Sequence, residues 1–369
     1  MKVALVHDYL NEYGGAERVL EALCELFPAA PIYTAFAIKD SSAGQRFKAK
    51  KIVEWKYSWL IKSYKFYSPL RFLAPLIWQS FDFSGFDLVI SSASWYITKG
   101  IIAPPGTAHI CYCHTPPRYL YGYKTSIEWQ RYWPVRLYAK IINGYLRRYD
   151  YRSAQKVNYF IANSQNVRER IKKFYGREAK VIYPPVETDG IIKATKNLKP
   201  EDYYLIVSRV VGAKGIELAL KAAREVNFKL KIVGEPAGLR WQEKELAQLK
   251  SQNVEFLGRV SDAELWQLYG NCKAFLALAS DEDFGITPVE AMAAGRPVVA
   301  YRGGGYLETV IEGKTGILFD RPDVKSLTKA LVQVNALEWN PTDCRNQAEK
   351  FSKERFKREI KEFINQKLT

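Results

Sequence analysis

The chain has 369 residues, 47% of them hydrophobic and 14% aromatic, with 55 Lys+Arg against 39 Asp+Glu and a formal charge of +16. That length supports two domains with a buried core each, and the composition excludes a disordered chain, a fibre and a small disulfide-stapled fold. The five cysteines are an odd number in a chain with core to spare, and they read as reduced cytosolic thiols.

The opening Met1-Lys2-Val3-Ala4-Leu5-Val6-His7-Asp8 is too short an apolar run for a secretory signal and reads as a first core strand. Asn11-Glu12-Tyr13-Gly14-Gly15-Ala16-Glu17-Arg18 follows, and an amphipathic pattern over 16–27 predicts a helix. Gly14 and Gly15 let a ligand come close to the backbone, and the N–H groups of a helix start favour an anion. The dinucleotide fingerprint G-x-G-x-x-G is not met, and a plain tight turn would also explain the two glycines. Strand patterns continue at 87–91, 108–113, 157–162 and 180–183. Tyr183-Pro184-Pro185-Val186 then holds an extended connector, and 187–202 is polar with no clear element.

The second half restarts the alternation. It shows a strand at 203–208, a helix at 214–225, a strand at 228–233, a helix at 240–249, a strand at 254–257 and a helix at 262–271. A strand at 274–278, a helix at 288–294 and a strand at 297–300 follow, and a last helix over 353–367 is expected to pack back across the first domain. Such alternation predicts an α/β protein of two Rossmann-like domains, 1–186 and 187–350, with 351–369 as the closing helix. The ligand is expected at the carboxyl ends of strands facing a central cleft. No stretch approaches the ~20 apolar residues of a membrane-spanning helix.

The charge divides unevenly. Residues 1–186 hold 27 Lys+Arg and 13 Asp+Glu, a net of +14, whereas 187–369 hold 28 and 26, a net of +2. An anionic partner is therefore expected on the first half. Within it, 55–81 contains no acid, four bases (Lys56, Lys62, Lys65, Arg71) and the aromatics Trp55, Tyr57, Trp59, Tyr64, Phe66, Tyr67, Phe72 and Trp78. The stretch 129–149 repeats the pattern, with Arg131, Arg136, Lys140, Arg147 and Arg148 among Tyr132, Trp133, Tyr138 and Tyr145. Trp and Tyr rings suit headgroup depth and each cation gains about 1 kcal/mol at anionic lipid, so both stretches are expected to dock on an anionic membrane surface. The competing readings are an aromatic core under a solvated face, and a nucleic-acid surface.

Two further motifs carry chemistry. Ser208-Arg209-Val210-Val211-Gly212-Ala213-Lys214-Gly215 places Arg209 at a strand end and Lys214 at a helix start. Both cations can then meet one anion, Arg through its planar fork and Lys as a point charge. In Ser280-Asp281-Glu282-Asp283-Phe284-Gly285-Ile286-Thr287-Pro288-Val289-Glu290-Ala291-Met292-Ala293, seven residues separate Glu282 from Glu290. Gly285, Ile286 and Thr287 fall in the turn before Pro288, a residue suited to a helix's first turn, and offer N–H groups to a phosphate. Glu290 can take two sugar hydroxyls and Glu282 another polyol. Cys111-Tyr112-Cys113-His114 lacks the second Cys/His pair of a zinc site, so no metal is expected, and His7 reads as structural.

Arg209 and Lys214, followed by the Glu282–Glu290 segment, resemble the signature of retaining glycosyltransferases of family 4, whose fold is GT-B. The Gly14-Gly15-Ala16-Glu17 turn, Cys113-His114-Thr115-Pro116 and Asn163-Ser164 match in order and spacing, so the resemblance covers essentially the whole chain. Ile110-Cys111-Tyr112-Cys113-His114-Thr115-Pro116-Pro117-Arg118 is most similar to bacterial mannosyltransferases of O-antigen and surface-polysaccharide assembly. The resemblance implies that Arg209 and Lys214 bind the donor diphosphate, Glu290 the ribose and Glu282 the transferred sugar. It places backbone N–H groups of Phe284, Gly285, Ile286, Thr287, Gly14 and Gly15 at the phosphates and sugar, and Arg259 and Val260 at the base. His114 would sit beside the reacting sugar, completing a catalytic set with Arg209, Lys214 and Glu282. The implied substrates are a nucleotide sugar, GDP-mannose before UDP-sugars, and a lipid-linked saccharide at the inner face of the cytoplasmic membrane, with no metal or other cofactor. Two rivals stand beside this reading. A sugar-nucleotide epimerase of the same fold fits the Arg/Lys/Glu set less well, and a basic nucleic-acid binder leaves the Glu282–Glu290 segment unexplained, so nucleic acid is not expected as a partner.

Overall fold

The computed structural model describes residues 1–62, 67–123, 125, 133–235 and 251–368, so the helix expected over 240–249 lies outside it. β1 (Val3–His7), β2 (Ile32–Thr34), β3 (Ile52–Glu54), β4 (Leu88–Ala93), β5 (Ala108–Cys113), β6 (Tyr159–Ala162) and β7 (Ala179–Val181) form one sheet, in the order β3-β2-β1-β4-β5-β6-β7. β8 (Tyr204–Val207), β9 (Leu230–Val233), β10 (Val254–Gly258), β11 (Ala274–Ala277), β12 (Val298–Tyr301) and β13 (Gly316–Phe319) form the other, in the order β10-β9-β8-β11-β12-β13. Every pairing is parallel.

Burial on both faces explains the near-continuous apolar strands. In β1, Val3 and Leu5 join a core with Leu20 and Leu23 of the helix Gly15–Leu26, while Ala4 and Val6 point the other way into a core with Phe36, Trp55 and Trp78. The alternation is the two-residue period of a strand. The chain divides into two compact units, one of Met1–Tyr123, Trp129–Pro185 and Phe356–Thr369, the other of Val186–Arg355. The last helix, Lys353–Leu368, carries Phe356, Ile360, Phe363 and Ile364 into the first unit's core, with the Phe356 ring centroid 5.8 Å from that of Tyr112.

The structure corrects several expectations. The stretch 187–202 is not without structure: it contains the helix Thr188–Thr195, whose buried side is only Thr188, Ile191 and Thr195. The helix expected from 214 starts at Ile216, because Lys214 ends a 3-10 turn and Gly215 sits at φ +73. A Cβ at Gly215 would lie 2.6 Å from the Leu278 carbonyl, so that turn needs glycine twice over. The helix expected from 288 starts at Ile286, with Gly285 at φ +92 as its cap.

The two aromatic stretches also divide differently. In 55–81, Trp55 and Trp78 are core residues, and the Trp78 indole N–H donates to the Tyr96 carbonyl at 2.5 Å. Arg71 is buried and donates to Asn143 Oδ1 at 3.1 Å, and Lys62 bonds Glu54 at 2.7 Å. Those two cations are therefore held by protein partners. Tyr64, Lys65, Phe66, Trp129, Arg131 and Tyr132 lie outside the described residues. The rest of 129–149 belongs to the helix Trp133–Lys156, which turns apolar side chains outward: Trp133, Leu137, Ile141 and Tyr145 are 69%, 55%, 64% and 54% exposed.

Candidate functional site

Loops following parallel strands collect at the carboxyl edge, and a crevice opens where the strand order reverses. That reversal falls between β8 and β11 in the second sheet, and between β1 and β4 in the first.

At the second sheet's reversal, Lys214 lies beyond β8 and Glu282 beyond β11. Lys214 Nζ donates to Glu282 Oε2 at 2.6 Å, and the Tyr306 hydroxyl donates to the same oxygen at 3.5 Å. Both partners of the ion pair keep part of their surface in solvent. Gly303-Gly304-Gly305, one residue beyond β12, clamps the Glu282 loop. The Gly305 N–H donates to the Glu282 carbonyl at 2.9 Å, and a Cβ would stand 2.2 Å from that carbonyl at Gly304 and 2.3 Å from Phe284 Cα at Gly305. Only glycine permits that approach. Phe284 is buried with its ring centroid 5.4 Å from that of Phe351, which anchors the loop's far side.

The loop then enters the helix Ile286–Ala293, whose first N–H groups have no intrahelical acceptor and form its positive end. Ile286 and Thr287 supply such groups, and Pro288 cannot. Glu290 is 2% exposed and accepts the Tyr269 hydroxyl at 2.8 Å, which fixes its carboxylate. Arg209 is exposed just beyond β8, and its carbonyl accepts the Val211 N–H at 2.9 Å. Arg259 is exposed and Val260 half-buried just beyond β10, after Gly258 at φ +64. The expected residues of the second half thus share one sheet edge, and Lys214 and Glu282 are in direct contact.

In the first unit, His114 follows β5 and its Nε2 lies 2.8 Å from Ser92 Oγ on β4. Ser92 Oγ is 3.0 Å from His7 Nδ1 at the end of β1, and His7 Nε2 is 3.1 Å from Glu17 Oε1. Glu17 Oε2 accepts the Gly14 N–H at 2.9 Å, tying the Gly14-Gly15 turn to the same chain of bonds. Burial pushes the His114 pKa down to about 3, so its ring is neutral at ordinary pH. Burial opposes charge on Glu17, but the bonds from His7 and Gly14 outweigh it and hold the carboxyl below its usual range. Sequence reasoning missed Ser92, Glu17, Tyr269 and Tyr306; the three consecutive glycines after the strand predicted at 297–300 were a legible signal for the clamp.

Comparison with known proteins gives this arrangement its family. The model described as Glycosyltransferase Family 4 matches residues 13–189, and that described as Glycosyl transferases group 1 matches 188–354. The chain is 25% identical to alpha-1,3/1,6-mannosyltransferase ALG2 of Dictyostelium discoideum, over 60% of each chain. It is 32% identical to the lipopolysaccharide core biosynthesis mannosyltransferase LpcC of Rhizobium leguminosarum bv. viciae, over 39% of this chain and 36% of that one. The chain thus spans between about a third and three fifths of the length of these curated relatives. HepE of Anabaena, solved in complex with UDP and glucose, superposes with a TM-score of 0.70 at 19% identity, over 99% of both chains. The chain belongs to glycosyltransferase family 4, and its fold is GT-B.

The glycine clamp yields a prediction. Gly305→Ala drives a methyl group into the Phe284 backbone, so it is expected to cost about 1–3 kcal/mol of stability and to weaken GDP or UDP binding about tenfold or more through the displaced Glu282 loop. Thermal melts and calorimetric titration measure the two; unchanged nucleotide affinity would separate the clamp from the site.

Proposed function

We propose that the chain is a retaining glycosyltransferase that moves a sugar from a nucleotide-sugar donor to a lipid-linked saccharide in surface-polysaccharide biosynthesis. The observation that carries this reading is the Lys214–Glu282 pair at the reversal of the second sheet, one short loop ahead of a helix start. The pair holds a cation and a carboxylate ready for the two ends of one donor. On entry, the diphosphate takes Lys214 and sugar hydroxyls take Glu282.

In this reading the second unit binds the donor and the first binds the acceptor. Arg209 joins Lys214 on the diphosphate, Glu290 holds the ribose, and Arg259 and Val260 border the base. Backbone N–H groups of Phe284, Gly285, Ile286 and Thr287, with those of Gly14 and Gly15, meet the phosphates and sugar, and His114 lies beside the sugar. Transfer develops positive charge at the anomeric carbon and negative charge on the departing diphosphate; fixed cations at the β-phosphate stabilise that group. The leaving phosphate takes the acceptor's proton on the front face, so no protein nucleophile is assigned. No metal is assigned either, since Arg209 and Lys214 supply the positive charge. GDP-mannose is the preferred donor, supported by the mannosyltransferase names of two relatives, and a UDP-sugar is the alternative, supported by HepE's bound UDP.

A melting screen with GDP-, UDP- and ADP-sugars tests the donor class, because a ligand of the native state raises its stability by mass action. Transfer is expected to persist in EDTA, and Lys214→Ala and Arg209→Ala each to lose about tenfold to hundredfold in turnover while folding normally. No stabilisation by any nucleotide sugar, or near-full turnover in both variants, would overturn the reading.

The acceptor reading calls for a lipid surface, and the helix Trp133–Lys156 supports one at the inner face of the cytoplasmic membrane. Beside its outward Trp133, Leu137, Ile141 and Tyr145 stand the exposed cations Arg136, Lys140, Arg148 and Arg152. Its one acid, Asp150, is fully buried against Lys99. Apolar rings at headgroup depth and about 1 kcal/mol per cation would give reversible, salt-sensitive docking. No helix among the described residues is long and apolar enough to cross a membrane. Flotation with anionic liposomes should carry the wild type at low salt and release a Trp133/Leu137/Ile141→Ser variant. A wild type that ignores the liposomes, or a variant that floats equally well, would contradict the docking face.

A further inference from the structure

Two buried side chains of the first unit, His7 and Ser92, and the half-buried Glu17 have no role in the reading above, yet they reach His114 through an unbroken chain of hydrogen bonds. We propose that Ser92, with His7 and Glu17 behind it, is a positioning residue that fixes the hydrogen of His114 on Nε2 and leaves Nδ1 as an acceptor for a hydroxyl of the transferred sugar. The proposal rests on the reading of His114 as the side chain beside that sugar.

The proposal takes His7 as neutral, and counting hydrogens from there gives the direction. An ionised Glu17 only accepts, so His7 Nε2, 3.1 Å from Glu17 Oε1, carries the hydrogen between them. The carboxylate is held in place, because its other oxygen accepts the Gly14 N–H at 2.9 Å. A neutral His7 then presents a bare Nδ1 to Ser92 Oγ at 3.0 Å, and the hydroxyl's one hydrogen goes there. Ser92 Oγ is left to accept, so the bond of 2.8 Å to His114 Nε2 is donated by His114. A neutral imidazole has one hydrogen, and His114 Nδ1 is therefore bare. Reversing the chain would need an added proton on His7.

The fold makes this order rigid. β1 and β4 pair across the first sheet's reversal with His7 opposite Ser92, and the His114 N–H donates to the Ala93 carbonyl at 2.9 Å. The Thr98 hydroxyl donates to the Ser92 carbonyl at 3.3 Å. His7 and Ser92 are buried, where each polar group must be satisfied by protein. A bare Nδ1 accepts from a sugar hydroxyl, and a neutral ring puts no cation beside an anomeric carbon that is becoming positive. Through Glu17, the same chain sets the Gly14-Gly15 turn and the His114 ring together.

Long-range ¹H–¹⁵N spectra of the full chain labelled at histidine nitrogens read the tautomers directly. The wild type should show His114 as the Nε2–H form and His7 neutral. Ser92→Ala should give a tautomer mixture at His114. Glu17→Gln should reverse the order, because its amide oxygen must serve Gly14 and its NH₂ then donates to His7; His114 becomes the Nδ1–H form. Both variants should lose about tenfold in turnover with the nucleotide sugar while binding free GDP or UDP as the wild type does. A cationic His7 or an Nδ1–H His114 in the wild type overturns the proposal, as does an unchanged His114 tautomer in both variants. A His114→Ala variant with full turnover would instead remove His114 from the sugar, which is the failure of the underlying reading, and spectra of the wild type tell the two failures apart.

Discussion

Parallel pairing is the constraint on which the rest of this structure depends. A chain that must start every strand from the same edge returns each time along a helix, so the segments following the strands gather at the carboxyl edge. Only where the strand order reverses do neighbouring connections leave in opposite directions, and there the edge opens. Each sheet has one such place. His7 and Ser92 meet at the first, Lys214 and Glu282 at the second. The residues with chemistry to offer stand where the topology leaves room for a ligand.

The Lys214–Glu282 contact is not there chiefly for stability. Both partners are partly solvated, and such pairs contribute about 0–1 kcal/mol. In the proposed reading it holds a cation and a carboxylate at the site before a ligand arrives, so that the cation is already in place when charge develops on a leaving group. The stiffness comes from packing. Gly303-Gly304-Gly305 lies against the Glu282–Phe284 backbone closer than any side chain would allow, and Phe284 is pinned against Phe351. Glu290 is fixed separately, by burial and by the Tyr269 hydroxyl.

Much of this was legible in the sequence where local pattern decides the outcome. β1, β5 and the helix Asp262–Asn271 fall on the residues their apolar patterns indicate, and the Glu282–Glu290 segment announces its loop and helix. Where tertiary packing decides, the pattern fails. Three-residue strands such as β2 and β3 are too short for a period of two to show, and the helix Thr188–Thr195 has a single aliphatic anchor. Trp55 and Trp59 are four residues apart in an acid-free stretch; one is core and the other exposed, and only the neighbouring elements distinguish them. The hydrogen bonds of His7 were not legible in the sequence, because its partners come from β4 and from the helix Gly15–Leu26, and Ser92 lies 85 residues away along the chain.

The division of charge between Lys214 and Glu282 is tested most directly by titrating Glu282→Gln in a calorimeter with a free nucleoside diphosphate and with the matching nucleotide sugar. In the proposed reading, replacing the carboxylate by an amide frees Lys214 for phosphate and leaves the sugar hydroxyls a weaker, uncharged acceptor. The free diphosphate should therefore bind at least as tightly as to the wild type, and the nucleotide sugar more weakly. An equal loss of affinity for both ligands would show that Glu282 merely supports the loop, and would contradict the assignment of the pair to the two ends of one donor.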